Sequence, residues 1–128
     1  MNIYDFLSSN SVSEQTKTFK LSDRIPFNFT IKAIHCDEAA RLRNSAIKVI
    51  EGVAQVDIDK MQSLICVACT TFPNFNNEEF IKKMKAKTGR EALNKSLLPG
   101  EKDRLYNEIQ KLCGYKQMNV EIEEAKKQ

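Results

Sequence analysis

The chain opens with a short helical pattern of apolar residues. Ile3, Phe6 and Leu7 are spaced i, i+3, i+4, so they share one face of a helix. The mostly polar run over residues 10–13 interrupts the pattern. The spacing therefore predicts a short amphipathic helix over residues 2–9.

Two strand patterns follow this helix. Residues 16–21 are strand-like, and from Phe27 to Ala33 apolar and polar residues alternate, which is the period of a half-buried strand. Two such segments in succession predict a β-hairpin. Because a hairpin alone is only marginally stable in water, we expect its apolar face to pack on helices. That face consists of Phe27, Phe29 and Ile31.

A longer helix is predicted after the hairpin. Asp37 is its candidate N-cap, because a carboxylate there can accept hydrogen bonds from the free N–H groups of the first turn. Gly52 is the candidate stop residue. The apolar residues between them follow helical spacing and are Ala39, Leu42, Ala46 and Val49. This pattern predicts one amphipathic helix that ends at the glycine.

The next helix is the predicted centre of the domain. An apolar stripe runs from Ile58 to Phe72, and every residue over 64–69 is apolar or cysteine. A helix that is apolar all round is buried, so we expect this one to lie in the core. Pro73 ends it, because proline lacks the N–H that continues a helix and disfavours a helical residue before it.

Three further helical patterns complete the domain. Capping-box patterns that begin at Asn76 and Thr88 predict helices over 77–86 and 89–96. A last helix follows the turn at residues 97–101. Its apolar stripe and stop residue are Leu105, Ile109, Leu112, Cys113 and Gly114.

Together these elements predict an α+β fold that is mostly α. It has a short N-terminal helix, one β-hairpin and then a compact bundle of about five helices, all in one domain over residues 1–114. Residues 115–128 form a polar tail in which Met118, Val120 and Ile122 alternate with polar residues, as in an extended segment. The tail is either a frayed terminus or a segment that pairs with the hairpin or binds a partner. These three residues are therefore the candidate partner-binding residues.

Composition narrows the class of protein. A chain of 128 residues with 41% apolar residues can bury one modest core, and its net charge of +3 is too small to indicate a nucleic-acid binder. The basic excess lies from Lys82 to Arg90, where flanking glutamates and a lack of interleaved aromatics favour a solvated helix face. No apolar run approaches the ~20 residues that span a bilayer, and the N-terminus lacks a secretory pattern. We expect a cytoplasmic protein without a membrane partner.

Four cysteines and one histidine are the candidates for catalytic, redox or metal-binding side chains. Cys66 and Cys69 form a C-x-x-C without the glycine, proline or basic neighbour typical of redox or zinc sites, which favours buried structural thiols. Cys36 and Cys113 are read as reduced thiols as well. His35 has no nucleophile or carboxylate at a known catalytic spacing, so it is interpreted as a structural or surface residue. The sequence predicts no enzyme, no cofactor and no metal site.

Several short signatures occur in a characteristic order along the chain. They are Ile3-Tyr4-Asp5-Phe6-Leu7, Phe72-Pro73 after the apolar helix, Gly89-Arg90-Glu91-Ala92-Leu93, Leu97-Leu98-Pro99-Gly100-Glu101, and the closing Leu112-Cys113-Gly114-Tyr115. In this order they resemble the XkdN-like tail assembly chaperones of Gram-positive phages and phage-derived contractile tails. The resemblance covers about residues 3–115, and a cysteine before Gly114 departs from the more usual pattern.

The resemblance implies a role in assembly rather than catalysis. Proteins of this family bind the tape measure protein transiently and keep it soluble until tail tube subunits polymerise around it. The implied partners are the tape measure protein and, further, the tail tube protein or a second copy of the chain. The implied place is the cytoplasm of the bacterial host, with the protein absent from the mature particle. No catalytic residue is carried over.

Two other interpretations remain open from the residues. A small DNA-binding regulator or packaging factor would use the basic cluster from Lys82 to Arg90. A thiol or zinc protein would use Cys66 and Cys69.

Overall fold

Helices and short strands follow one another along residues 2–115, which are the residues that the computed structural model describes. Six α-helices and five strands occur in this part of the chain. In order they are α1 (Ile3–Ser9), a 3-10 turn (Val12–Glu14), β1 (Thr16–Lys20), β2 (Asn28–Lys32), α2 (Cys36–Ser45), β3 (Ile47–Ile50), β4 (Val53–Val56), α3 (Ile58–Cys69), β5 (Thr70–Phe72), α4 (Glu78–Lys83), α5 (Gly89–Ser96) and α6 (Pro99–Leu112). The predicted α+β class is confirmed, with a short N-terminal helix and five further helices.

The predicted hairpin is part of a three-stranded antiparallel sheet in the order β1-β2-β5. β1 and β2 pair with Phe19 opposite Phe29, as the two strand patterns predicted. The third strand, β5, pairs with β2 and was predicted as the end of α3. That prediction is wrong, because α3 ends at Cys69 and the following Thr70, Thr71 and Phe72 prefer extended backbone and pair with the free side of β2.

A second hairpin replaces the end of the predicted helix after residue 37. α2 ends at Ser45, and β3 and β4 pair with Val49 opposite Ala54. Glu51 and Gly52 both have positive φ, 52° and 79°, as a tight two-residue hairpin turn requires. Val49 is therefore not helical and Gly52 is not a helix stop. The residues flanking the turn are rich in valine and isoleucine, whose branched side chains favour strands.

The predicted N-caps are partly confirmed. Asp37 is not a cap, because the backbone is already helical at Cys36 and the cap position is His35. Asn77, one residue after the predicted Asn76, caps α4 by accepting from the N–H of Phe80 at 3.0 Å. Thr88 caps α5 as predicted. Because the first helical residue of α4 is Glu78, its cap position is Asn77 rather than Asn76.

The core is built around α3, as predicted. This helix packs against α2, α5 and α6, and its Ile65, Cys66 and Cys69 are buried. The cluster of buried apolar residues is Leu21, Phe29, Ile31, Leu42, Ile65, Cys66, Cys69, Phe75, Leu93, Leu105 and Ile109.

One residue of the predicted hairpin face is not in the core. Phe29 is 3% exposed, whereas Phe27 is 66% exposed. Phe27 precedes Asn28, the first residue of β2, so the alternation of the pleated strand does not govern its direction. The predicted buried face is therefore correct for Phe29 and Ile31 and wrong for Phe27.

Candidate partner-binding groove

An open apolar groove lies beside the three-stranded sheet, where the β1–β2 loop meets the segment after β5 and the end of α5. Its volume is about 220 Å³. The residues that line it are Arg24, Ile25, Phe27, Phe29, Phe72, Pro73, Phe75, Phe80, Ser96 and Leu97. Most of them are apolar and five are phenylalanines, so the groove favours an apolar ligand.

Three packed aromatic rings form the floor of the groove. The rings of Phe29 and Phe75 lie 6.3 Å apart between centroids at 52°, and those of Phe75 and Phe80 lie 5.9 Å apart at 60°. Tilted aromatic pairs at these distances are favourable beyond the area they bury. Phe29 and Phe75 are also members of the core, so the floor is anchored to the body of the protein.

The groove is bordered by two exposed phenylalanines. Phe27 is 66% exposed and Phe72 is 57% exposed. Phe27 precedes β2, and Phe72 is the last residue of β5, so both are attached to the ordered sheet. Large apolar side chains gathered in one exposed patch are typical of an interaction site. The sequence pattern did not indicate this pair, because alternation assigned Phe27 to the core and helical spacing assigned Phe72 to α3.

A buried carboxylate holds one side of the groove in place. Glu101, in the first turn of α6, accepts hydrogen bonds from Arg24 Nη2 at 2.5 Å and Nε at 3.0 Å, and from Ser22 Oγ at 2.5 Å. It also accepts from the N–H of Leu98 at 2.8 Å. The Arg24 guanidinium, together with these other donors, lowers the pKa of Glu101 to about 2.

This arrangement joins three segments of the chain. Arg24 also donates to the carbonyl oxygen of Ser96 at 3.1 Å, so the β1–β2 loop is tied both to the end of α5 and to the start of α6. Two of the short signatures therefore meet here. Phe72-Pro73 lines the groove, and the turn that begins at Leu97 supplies both a lining residue and the carboxylate.

The cysteine pair lies in the core rather than in the groove. Cys66 and Cys69 are buried, and burial raises the pKa of each thiol to about 12, so both are protonated at neutral pH. Cys36 is exposed and Cys113 is partly buried, and all four are free thiols. Across residues 2–115, no group of three His, Cys, Asp or Glu side chains is placed to hold a metal ion.

The remaining candidates are distributed away from the groove. The basic residues from Lys82 to Arg90 are spread over α4, the following loop and α5. The prediction that they form one solvated helix face is therefore wrong. His35 is exposed at the start of α2. The candidate partner-binding residues Met118, Val120 and Ile122 lie outside the described residues. No helix in the described part of the chain is long and apolar enough to cross a bilayer.

Comparisons with known proteins agree with the assembly role. No curated protein is significantly similar to the chain. A crystal structure of the protein YqbN has the same fold, with a TM-score of 0.72 and 19% identity, over 91% of this chain and 98% of that one. The family of phage XkdN-like tail assembly chaperone proteins matches residues 3–126. The match therefore continues into the tail, beyond residue 115, at which the resemblance was expected to end. The chain therefore belongs to the XkdN-like phage tail assembly chaperones.

Proposed function

We propose that the protein binds the tape measure protein during tail assembly and holds it through the groove bordered by Phe27 and Phe72. Membership of the chaperone family supports a partner among the tail proteins. A tape measure protein is long and helical, so before the tube surrounds it, its apolar helix faces need to be covered. Covering them keeps it soluble until tail tube subunits polymerise around it.

The observation that carries this proposal is the exposed phenylalanine pair above an aromatic floor. An amphipathic helix binds such a groove by inserting one or two apolar side chains spaced i, i+3 or i+4. The volume of about 220 Å³ is below the range typical of small-molecule sites, which favours side-chain anchors over a metabolite. The groove therefore fits a helical segment better than a soluble ligand.

The small number of exposed anchors in the groove, Phe27 and Phe72, also fits transient binding. A chaperone of this kind must release its partner when the tube subunits arrive, so a groove with few anchors suits the role. In this account the protein acts in the host cytoplasm, uses no cofactor and catalyses no reaction, and it is absent from the finished particle.

Co-expression with the tape measure protein tests the proposal. Phe27→Ser and Phe72→Ser remove the two exposed borders of the groove, and Val49→Ser is the matched control, because Val49 is an exposed apolar residue on β3, outside the groove. We expect both groove variants to leave most of the tape measure protein in the pellet and the control to keep it soluble. Full solubility with both groove variants would contradict the proposal.

A further inference from the structure

Gly89, the first residue of α5, lies where the backbone conformation does not require a glycine. It opens the signature Gly89-Arg90-Glu91-Ala92-Leu93, which the lining of the groove does not explain. Positive φ among the described glycines occurs at Gly52 and Gly114, so Gly89 is not needed for a left-handed turn. Alanine would also favour a helix more than glycine does. The reason for this glycine therefore lies in the atoms that surround it.

Close packing against the segment before α4 supplies that reason. Gly89 is buried, and a β-carbon added to it would overlap the side-chain oxygen of Asn76 and lie 3.0 Å from the carbonyl oxygen of Phe75. Both distances are shorter than an ordinary van der Waals contact. The first residue of α5 therefore lies directly on residues 75 and 76, with no room for a methyl group.

Phe75 is the central ring of the groove floor. It is 2% exposed, and its ring pairs with Phe29 on one side and with Phe80 on the other. The residue on which α5 lies is thus the residue that joins the two other rings of the floor. Because interiors are close-packed, a displacement of the Phe75 backbone moves its ring as well.

The other end of α5 forms one side of the same groove. Ser96 is the last residue of the helix, and both Ser96 and the following Leu97 line the groove. The eight residues of α5 span about 12 Å. As one rigid helix, α5 connects the contact at Gly89 with the side of the groove at Leu97. A displacement of its first residue therefore changes the position of Leu97 relative to Phe75.

We propose that Gly89 is a positioning residue of the groove. Its lack of a side chain lets α5 lie on Phe75 and Asn76, and this contact sets the distance between the Phe75 ring and Leu97. A methyl group at position 89 would push α5 away from residues 75 and 76 and change the shape of the groove. The inference rests on the proposed function only in taking the groove as the binding site.

A fluorine label on the Phe75 ring tests the proposal. The label is p-fluorophenylalanine at position 75 of the full chain, and its fluorine NMR signal is compared with and without Gly89→Ala. We expect the substitution to move the signal by more than its linewidth. Gly100→Ala is the matched control, because Gly100 lies in the first turn of α6 and an added β-carbon meets no atom within 4 Å. It should leave the signal in place and should not lower Tm.

Asn76→Ala provides the rescue. It removes the side-chain oxygen that a methyl group at position 89 would overlap, and Asn76 is exposed and is not the cap of α4. We expect the signal of Gly89→Ala/Asn76→Ala to return most of the way to that of Asn76→Ala alone, which a general loss of stability would not produce. If Gly89→Ala alone fails to fold, the double variant should still fold.

Four results would overturn the proposal. They are an unmoved signal in Gly89→Ala, an equal shift in Gly100→Ala, no recovery in the double variant, and a double variant that fails to fold.

The tape measure experiment separates this proposal from the proposed function. Gly89→Ala should lower the soluble tape measure protein at least about twofold, the smallest coupling typical of residues in contact, and the double variant should restore it. If Phe27→Ser and Phe72→Ser leave that protein fully soluble while the fluorine signal still shifts and recovers, the proposed function fails and the positioning role stands. If those two variants lose solubility but Gly89→Ala leaves the signal unmoved, the positioning role is refuted and the proposed function stands.

Discussion

Glu101 illustrates how a single side chain can fix the shape of a surface groove. It accepts from Arg24, Ser22 and the N–H of Leu98, and it is 6% exposed. In the sequence this residue is only the last one of the turn at residues 97–101 that precedes the final helix. Its contact with Arg24, 77 positions away, depends on the packing of β2 against α6 and is not visible in any local pattern.

Replacing Glu101 with glutamine should destabilise the protein and change its response to acid. The pKa of Glu101 is lowered from 4.5 to about 2, so between these values the unfolded state binds more protons than the folded state. Its contribution to stability is therefore present above pH 4.5 and is lost as the pH falls toward 2. We expect Glu101→Gln to lower Tm by about 4–8 °C at neutral pH and to flatten the acid side of the Tm profile.

Asp103→Asn is the matched control for this variant, because Asp103 is an exposed carboxylate on the same helix. Thermal melts from pH 2 to pH 7 give the comparison. An unchanged acid profile in Glu101→Gln would show that the hydrogen bonds around this carboxylate do not stabilise the fold.

The cysteines should separate into reactive and protected thiols. Because Cys66 and Cys69 are buried and the pKa of each is about 12, we expect a thiol reagent at pH 8 to modify Cys36 first, Cys113 more slowly, and the buried pair only after unfolding. The unfolded thiols ionise near pH 9, so the contribution of the buried pair to stability is present below pH 9 and is lost as the pH rises toward 12.

Counting modified thiols in native and denatured protein checks this prediction, with Cys36→Ser as the control that removes the fast phase. Rapid native modification of all four thiols would contradict the burial of the pair. Stoichiometric zinc in the purified protein would also contradict the structural role of Cys66 and Cys69.

At the scale of elements, hydrophobic periodicity correctly predicted the elements that have one buried face. It failed where strand pairing determines the secondary structure. The central helix and the paired strand β2 follow their predicted periods, because Ile65 and Phe29 both reach the core. The β3–β4 hairpin lies away from the core, so the helical spacing that included Val49 did not correspond to a buried face. β5 forms because β2 has a free edge with which it can pair. This pairing depends on tertiary structure, so the periodicity of the sequence cannot predict it.

The two phenylalanines at alternate positions of the hairpin should respond differently to a charge. We expect Phe29→Asp to unfold or aggregate the protein, because it places an unpaired carboxylate in the core, and Phe29→Ala to cost about 3–5 kcal/mol. Phe27→Asp should remain folded, since Phe27 is exposed, with a change within about 0.5 kcal/mol. Denaturant unfolding of the pair measures the difference, and equal effects at both positions would show that the buried face is assigned wrongly.

At the scale of the whole molecule, the groove is assembled from segments that lie far apart in the chain. The sequence signatures identified the family, and two of them, Phe72-Pro73 and the turn from Leu97 to Glu101, border or support the groove. That they meet could not be predicted, because it depends on tertiary packing, in which Phe72 is positioned by its pairing with Thr30 in the sheet. The candidate residues Met118, Val120 and Ile122 remain a prediction for the tail, since they lie beyond the described residues.

The tail candidates are tested separately from the groove. Deleting residues 116–128 should leave the domain folded, and if Met118, Val120 and Ile122 bind a partner, it should weaken co-purification with the tape measure protein. A lower Tm after the deletion would instead indicate that the tail pairs with the hairpin. Unchanged melting with undiminished co-purification would make the tail dispensable.

Site-specific photo-crosslinking tests the central claim most directly. A photoreactive phenylalanine analogue at position 27 or 72 retains an aromatic ring at the border of the groove, and the same analogue at position 49 reports on exposed apolar surface elsewhere. With the tape measure protein co-expressed, the account predicts strong crosslinks to it from positions 27 and 72 and weak ones from position 49. Crosslinks from position 49 alone, or none from the groove positions in a soluble complex, would contradict it.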